Sequence, residues 1–506
     1  MAGATVRQAD ESSAISLSSA AGRWIVLACV LGSGIAGIDA TVVNIALPDI
    51  GRSLHVGFAS LQWTVTAYTL TLASLILLGG SLGDRFGRRR VFVIGVAWFG
   101  VASVLCAAAP DAASLIGARA LQGVGGALLT PASLAILQAS FAEGDRAKAI
   151  GAWSGLSGTA SAIAPFVGGW LLQAGSWRWV FLINPPLAVV VMAIAIRHMP
   201  ETRDVESTGR LDVAGALLGV LGLGGITAGI IAASSHSVGS AAVLVPVVGG
   251  VVGLCAFLAV EHREPRPMLP LSLFRSKQFS AANAVTFLLY AANGGALLLL
   301  VVELQSVSGF GPLEAGTALL PITVVMLLLA ARFGALAQRI GPRLQMSIGP
   351  LVAALGLVQI TRLSPHASYA FDVLPAVAVF GLGLAIFVAP LTATVLGAVS
   401  AAHAGIASGV NNAIARAAGL LAIAALPVLV GLTGHAYDDP GRFLTPFRHA
   451  IWICVGLQAA GGVLAALTIR NDRHPAATGV DNVATSASLG LAGDQVVPAH
   501  CGMTVR

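Results

Sequence analysis

The chain has 506 residues, 56% hydrophobic and 10% charged, whereas a soluble domain averages roughly 45–50% apolar and about 25% charged. That excludes a soluble globule, and a mean hydropathy of +0.87 excludes low-complexity disorder, which needs low hydrophobicity and high charge. The net charge of +6 is carried by basic residues set between apolar runs, so it reports membrane topology and no nucleic-acid partner is expected.

A membrane span needs ~20 apolar residues, because a helix rises ~1.5 Å per residue across a core of ~30 Å. In chain order that ruler predicts spans at Trp24–Ala46, Leu61–Leu82, Val91–Ala109, Ser114–Leu137, Ala149–Leu172, Trp179–Ile196 and Val213–Ala233. It continues with Ala241–Val260, Phe279–Val302, Ala315–Ala337, Leu344–Ile360, Val373–Gly397, Gly405–Val430 and Ala450–Ile469. Fourteen spans put both termini on one side. Of the basic residues, Arg52, Arg178, Arg362, Arg442 and Arg448 fall on the other side and Arg119 and Arg416 within spans; the rest gather on the terminal side. Short basic loops stay cytoplasmic, so both termini are expected in the cytoplasm of a bacterial cell membrane.

Residues 1–22 are polar and Ser-rich, an N-terminal cytoplasmic tail without a removable signal. Residues 471–506 read as a disordered cytoplasmic tail. Cys29, Cys106, Cys255, Cys454 and Cys501 show no CxxC spacing, so neither a disulfide framework nor a metal site is expected. Lys148 and Lys277 are the only lysines among 28 basic residues, the bias of a GC-rich genome. The string GSGIAG at Gly32–Gly37 fits GxGxxG but lies inside an apolar span, where it packs helices instead of cradling phosphate. No GxxxxGK[ST] loop is present, so no nucleotide-hydrolysing engine or cofactor is implied.

The loops after the second and tenth spans repeat. Gly80–Val91 reads GSLGDRFGRRRV and Gly334–Arg343 reads GALAQRIGPR; Leu82, Arg85 and Gly87 align with Leu336, Arg339 and Gly341, with Gln338 opposite Asp84. The repeat predicts an all-α integral membrane protein of two related six-helix bundles, residues 23–197 and 263–470, with two inserted central helices in 198–262.

These residues closely resemble the major facilitator superfamily, in particular its fourteen-helix branch of drug:proton antiporters. Gly80, Leu82, Asp84, Arg85, Gly87, Arg88 and Arg89 match its loop signature, and LIGARALQGVGGA at Leu115–Ala127 resembles its fourth-helix pattern around Arg119, Gln122 and Gly123. GIDATVVNIALP at Gly37–Pro48 and WRWVFLINPP at Trp177–Pro186 resemble the first helix and the fifth-to-sixth link of that branch. The antiporter fifth-helix motif is altered: Gly151, Pro165, Gly168 and Gly169 fit, but Ala160 and Ala164 stand where glycine is usual. Alanine still permits close helix packing.

Asp39 lies deep in the first span, where a charge costs at least ~2.5–3.5 kcal/mol and is functional by default. At ~1.5 Å per residue Arg119 reaches the same depth. The pair reads as the proton-coupling site, or as a static ion pair joining helices. The resemblance implies that Gly80, Asp84, Arg85, Gly87 and Arg88 form a conformational switch, with Asp84 facing the start of the thirteenth span; the bland reading is a positive-inside anchor. Arg416 lies near mid-membrane without an acidic residue at its depth, so it faces a wet cavity, carbonyls or a substrate anion. Asn44, Trp63, Tyr68, Gln122, Asn293, Asn411 and Asn412 join Arg416 as candidate cavity residues. For the asparagines interhelical hydrogen bonding is an equal reading, and for Trp63 and Tyr68 an interfacial position is the plainer one. Glu303 reads as a solvated carboxylate at a helix end.

The expected function is export of a small lipophilic molecule, a drug, antibiotic or metabolite, in exchange for protons by alternating access. Its partners are the cargo, protons and the bilayer, with the proton gradient as energy source. The alternatives are a proton-coupled uptake symporter and a non-transporting scaffold or sensor. No enzyme activity is expected.

Overall fold

In a computed structural model, residues 15–141, 143–173, 175–203, 212–264, 267–400, 404–434 and 439–471 are described. Among them the chain is all helical, with no strand and one isolated bridge, Ile15 to Phe141. The helices are α1 (Ala20–Leu54), α2 (Phe58–Phe86), α3 (Arg88–Ala108), α4 (Ala112–Ser140), α5 (Glu143–Gln173), α6 (Trp179–His198) and α7 (Val213–Ala232). They continue with α8 (Ala241–Arg263), α9 (Lys277–Ser306), α10 (Pro312–Ile340), α11 (Pro342–Ile360), α12 (Tyr369–Gly397), α13 (Ala404–Leu429) and α14 (Pro440–Thr468). Thirteen are long and apolar enough to cross a membrane. The fourteenth, α5, is diluted by Gly, Ser and Thr, and its apolar stretch is Ile163–Gln173.

Helix starts follow cap chemistry where apolar runs meet polar punctuation. Ser19 accepts a hydrogen bond from Gly22 N (3.0 Å), Asp111 from Ser114 N (2.8 Å), Asp212 from Gly215 N (2.7 Å) and Ser276 from Phe279 N (3.3 Å). Each satisfies a backbone donor that a helix N-terminus leaves open. The fold is that of two six-helix bundles, α1–α6 and α9–α14. The inserted α7 and α8 pack on each other through Gly222, Gly225, Gly229 and Gly250, and α7 lies along α2 and α13. Small residues of this kind let helix backbones approach.

The loop repeat has a physical basis in two glycines. Gly87 (φ 109°) and Gly341 (φ 88°) each end one helix and open the next, donating N–H to Gly83 O and Ala337 O. A side chain is strained at both positions.

The bundles meet at the face where α1 ends and α2 begins, opposite the terminal side on which α1 starts and α14 ends. Gln62 Nε2 donates to Ile423 O (2.7 Å) and Ala424 O (3.0 Å), Gln305 Nε2 to Ile45 O (2.9 Å), and Phe58 N to Gly434 O (2.8 Å). At the same level Gly169 abuts Leu313 and Gly316 abuts Pro165, so α5 and the start of α10 touch backbone to backbone. The expected tail disorder concerns residues that, Asn471 apart, lie outside those described, as do residues 1–14, whereas the central-insert boundaries at 197/198 and 262/263 fall at the described ends of α6 and α8.

Candidate functional site

Asp39, in the middle of α1, meets Arg119 of α4 in a cluster closed to solvent, with both residues 1% exposed. Arg119 Nη1 donates to Asp39 Oδ2 (2.5 Å) and to Gln122 Oε1 (2.5 Å), while its Nε donates to Thr64 O of α2 (3.0 Å). Gln122 Nε2 donates to Asp39 Oδ1 (2.8 Å) and Ser103 Oγ (2.8 Å). Asn184 Nδ2, on α6, donates to the same two oxygens at 3.1 and 3.2 Å. The guanidinium also lies over the ring of Tyr68 at 4.4 Å and 5.8 Å from that of Phe181. Both carboxylate oxygens are therefore bonded, one by a cation and the other by two neutral amides, as a buried charge requires.

The other N-bundle candidates fall on either side of this cluster. Gln122 is fully buried and faces Asp39 instead of open space. Tyr68 is 3% exposed and covers Arg119, so it is no interfacial aromatic. Trp63 is half-buried. Asn44 Oδ1 is buried without a hydrogen-bond partner.

Arg416 of α13 is half-buried, its Nε is buried with no hydrogen-bond partner, and the phenols of Tyr68 and Tyr290 lie within its electrostatic reach from either bundle. Two nearby asparagines are committed elsewhere. Asn411 Nδ2 donates to Thr286 Oγ1 (2.8 Å) and Asn283 Oδ1 (3.1 Å), which ties α13 to α9. Asn293 Oδ1 accepts from Gln458 Nε2 of α14 (2.7 Å). Asn412 is exposed, with Nδ2 3.4 Å from Ser408 O of its own helix.

In the Gly80–Val91 loop, Arg88 at the start of α3 pairs across Gly87 with Asp84 in the last turn of α2, Nη2 to Oδ1 at 2.7 Å and Nε to Oδ1 at 2.9 Å. Arg88 Nη1 reaches Ala135 O of α4 (3.4 Å). No hydrogen bond joins Asp84 to the described part of α13, and residues 401–403 before it lie outside the described residues. Arg85 lies beside the Phe86 ring, and Gly80 faces Pro131. The segment after α6 completes the turn: Glu201 Oε1 accepts from Arg89 N (3.1 Å), and Thr202 O accepts from Arg88 N (2.9 Å). In α5, Pro165 and Gly169 sit on the cross-bundle seam, Gly168 packs on Val42, and a side chain added at Gly151 would meet open space. Ala164 is buried, and the side chain of Ala160 lies outside those described.

Sequence reasoning missed Asn184, Ser103 and Glu201. Asn184 stood in the quoted WRWVFLINPP string, and a lone amide between apolar neighbours was the available signal. Glu303 is a correction. It is 0% exposed, because α9 runs on to Ser306 and the following turn folds back through Phe310 N to Leu304 O (2.8 Å).

A fourteen-helix membrane fold enclosing a buried carboxylate–guanidinium pair defines a multi-pass membrane protein of the transporter class. The chain belongs to the Major Facilitator Superfamily, whose profile matches residues 29–424. It is 38% identical over 428 residues to the puromycin resistance protein pur8 of Streptomyces alboniger, covering 83% of this chain and 84% of that one. It is 34% identical over 426 residues to a methylenomycin A resistance protein of Bacillus subtilis, covering 84% and 91%. Similarity to such proteins fits the fourteen-helix drug:proton antiporter branch. In fold it is similar to a crystal structure of a peptide transporter, with a TM-score of 0.65 at 15% identity over 92% of this chain and 99% of that one.

Proposed function

We propose that the chain exports a small lipophilic molecule in exchange for protons, by alternating access between the two bundles. The observation that carries this reading is the buried Asp39–Arg119 pair with its amide shell. A carboxylate in mid-membrane is costly to insert, and a purely adhesive role is weak grounds for keeping it, since buried pairs stabilise little against apolar substitutes. Asp39 is the proton carrier and Arg119 the charge that competes with the proton. Arg416, Asn44, Trp63 and Asn412 line the cargo path, and the loop from Gly80 to Arg88 switches between states. Relatives named for resistance to puromycin and methylenomycin A support export of antibiotic-like cargo.

The excess of basic residues on the terminal side supports a cytoplasmic position for both termini. With the bundles joined at the opposite face, the described conformation is then closed to the outside. Purified protein in vesicles with an imposed pH gradient tests the reading on a panel of labelled antibiotics. The wild type accumulates a cargo against its gradient and stops when a protonophore is added, while Asp39→Asn inserts but does not accumulate it. Accumulation by Asp39→Asn at the wild-type rate removes Asp39 as the carrier, and transport that survives the protonophore removes proton exchange.

A further inference from the structure

Glu303 is wholly cut off from solvent, and the export reading gives it no role. Its Oε1 lies 2.9 Å from the Ser308 hydroxyl, and its Oε2 is buried with no hydrogen-bond partner. Of the elements packed on α9, α14 brings the one charged group within electrostatic reach among the described residues, Arg448; α1, α10, α11, α12 and α13 bring none. The two make no ion pair. Arg448 Nη2 is spent on Leu363 O (3.2 Å), and its Nε is buried without a partner.

Burial and a single hydrogen bond govern the charge this carboxyl can hold. The Ser308 hydroxyl has one proton and two acceptors within reach, Glu303 Oε1 at 2.9 Å and Ser364 O at 3.3 Å. A hydroxyl donates once but accepts twice. With Glu303 ionised, a full charge sits in a buried site on one hydrogen bond, with Oε2 unpartnered, while the Ser364 carbonyl keeps its own donor in Ala367 N (3.0 Å). With Glu303 protonated, its O–H donates to Ser308 Oγ and the Ser308 O–H donates to the Ser364 carbonyl. The buried charge is then gone and every proton has an acceptor.

The carboxyl also rides on the seam between the bundles. Two residues on, Gln305 makes the bond to Ile45 O of α1 (2.9 Å). Val307 N and Ser308 N both donate to Glu303 O (2.8 and 3.1 Å), which fastens the turn that leads to α10, where Leu313 abuts Gly169 of α5. Opening this face separates the end of α9 from α1 and exposes the Glu303 pocket.

We infer that Glu303 is a second proton-binding site, filled while the face opposite the termini is closed and emptied when that face opens. On opening, the carboxyl gives its proton to entering water and the carboxylate turns to the idle Nε of Arg448. Taking a proton back from the same side removes that attraction and lets the seam close. Because the proton enters and leaves by one face, Glu303 sets the external-pH dependence of the gate and adds nothing to the protons exchanged per cargo. The direction assigned to external acid rests on the export reading; the existence of the site does not.

The test uses the full chain in lipid vesicles and two readouts that need no cargo. Infrared difference spectra at neutral pH should show a protonated-carboxyl C=O band in the wild type that Glu303→Gln lacks. Distances between spin labels at Ser53→Cys and His366→Cys, with the native cysteines replaced, should show the open fraction rising with external pH, the open-to-closed ratio changing by up to about tenfold per pH unit for one proton. Glu303→Gln, which keeps the bond to Ser308, should stay closed across the range, and Arg448→Met should lose the pH-driven opening. Identical carboxyl bands in wild type and Glu303→Gln, or the same distance profile in both, overturn the inference. Failure of the export reading shows separately, as absence of proton-driven accumulation in the wild type. A changed proton-to-cargo ratio in Glu303→Gln sinks the one-sided assignment.

Discussion

Removing Arg119 tests whether the central pair acts as one unit. Arg119→Leu deletes the contacts to Asp39 Oδ2, Gln122 Oε1 and Thr64 O and leaves a buried carboxylate facing two neutral amides. Breaking a buried pair from one side costs about 3–5 kcal/mol. Asp39→Asn keeps the shape and turns an amide toward the guanidinium, which still holds Thr64 O, Gln122 Oε1 and the face of Tyr68; losing one charge-assisted bond costs about 1.5–3 kcal/mol. In the double variant no charge remains, and the new amide is free to donate to the vacated Gln122 Oε1. Its stability should therefore exceed the sum of the singles by about 2–3 kcal/mol, near the top of the range for residues in one network. Reversible unfolding in mixed micelles on all four proteins measures this. The double variant should fold well and fail to couple transport to protons, which separates stability from coupling. Additivity within about 0.5 kcal/mol would mean that the two residues do not act together, and the site as drawn would be wrong.

Gly341→Ala should destabilise the chain by about 1–3 kcal/mol, because φ 88° suits only glycine; thermal unfolding in detergent reads it, and an unchanged midpoint refutes the strain argument. Gly169→Val places a side chain against the backbone of Leu313 and should hold the far face open, seen as a longer Ser53-to-His366 label distance. Gln62→Leu loses two interbundle bonds and should favour the open state by about 1–3 kcal/mol; a closed population equal to wild type counts against their role. An exported phosphatase should be inactive when fused after Arg275 and active after Arg362, and the reverse pattern inverts the proposed orientation.

Much of this was legible in the sequence because a bilayer enforces regular geometry. Apolar runs located every helix, most ends to within a few residues, but α1 ends eight residues later, and α5 and α14 start six and ten residues earlier, than the apolar runs predict. A rise of ~1.5 Å per residue placed Asp39 and Arg119 at one depth, and the repeated loop located the strained glycines at 87 and 341. What escaped was rotation about a helix axis and the cover supplied by neighbours. Gln122 and Asn411 read as cavity polar groups, yet one faces Asp39 and the other ties α13 to α9. Such choices depend on which helix lies alongside, which a single apolar run does not encode. Glu303 read as solvated because the apolar run stops at Val302, whereas its burial comes from a turn that folds back over it.

The distribution of bond types over the molecule bears on how it can move. The strong, charge-assisted bonds of Asp39 and Arg119 lie wholly within the first bundle, so the bundle can carry them intact through a rocking motion. The hydrogen bonds of the seam between bundles, beside its helix packing, come from neutral donors on backbone carbonyls: two from Gln62, one from Gln305 and one from Phe58 N. At about 0.5–1.5 kcal/mol each, the four together hold the far face by roughly 2–6 kcal/mol. Driving a two-state equilibrium from 1:99 to 99:1 takes about 5.5 kcal/mol of differential binding. On the proposed exchange reading, bonds of that strength yield to the binding of one cargo and one proton, whereas buried ion pairs would not. On that reading the seam's polar bonds are weak enough to reopen on every cycle, and keeping the costly charges off it is what makes that possible.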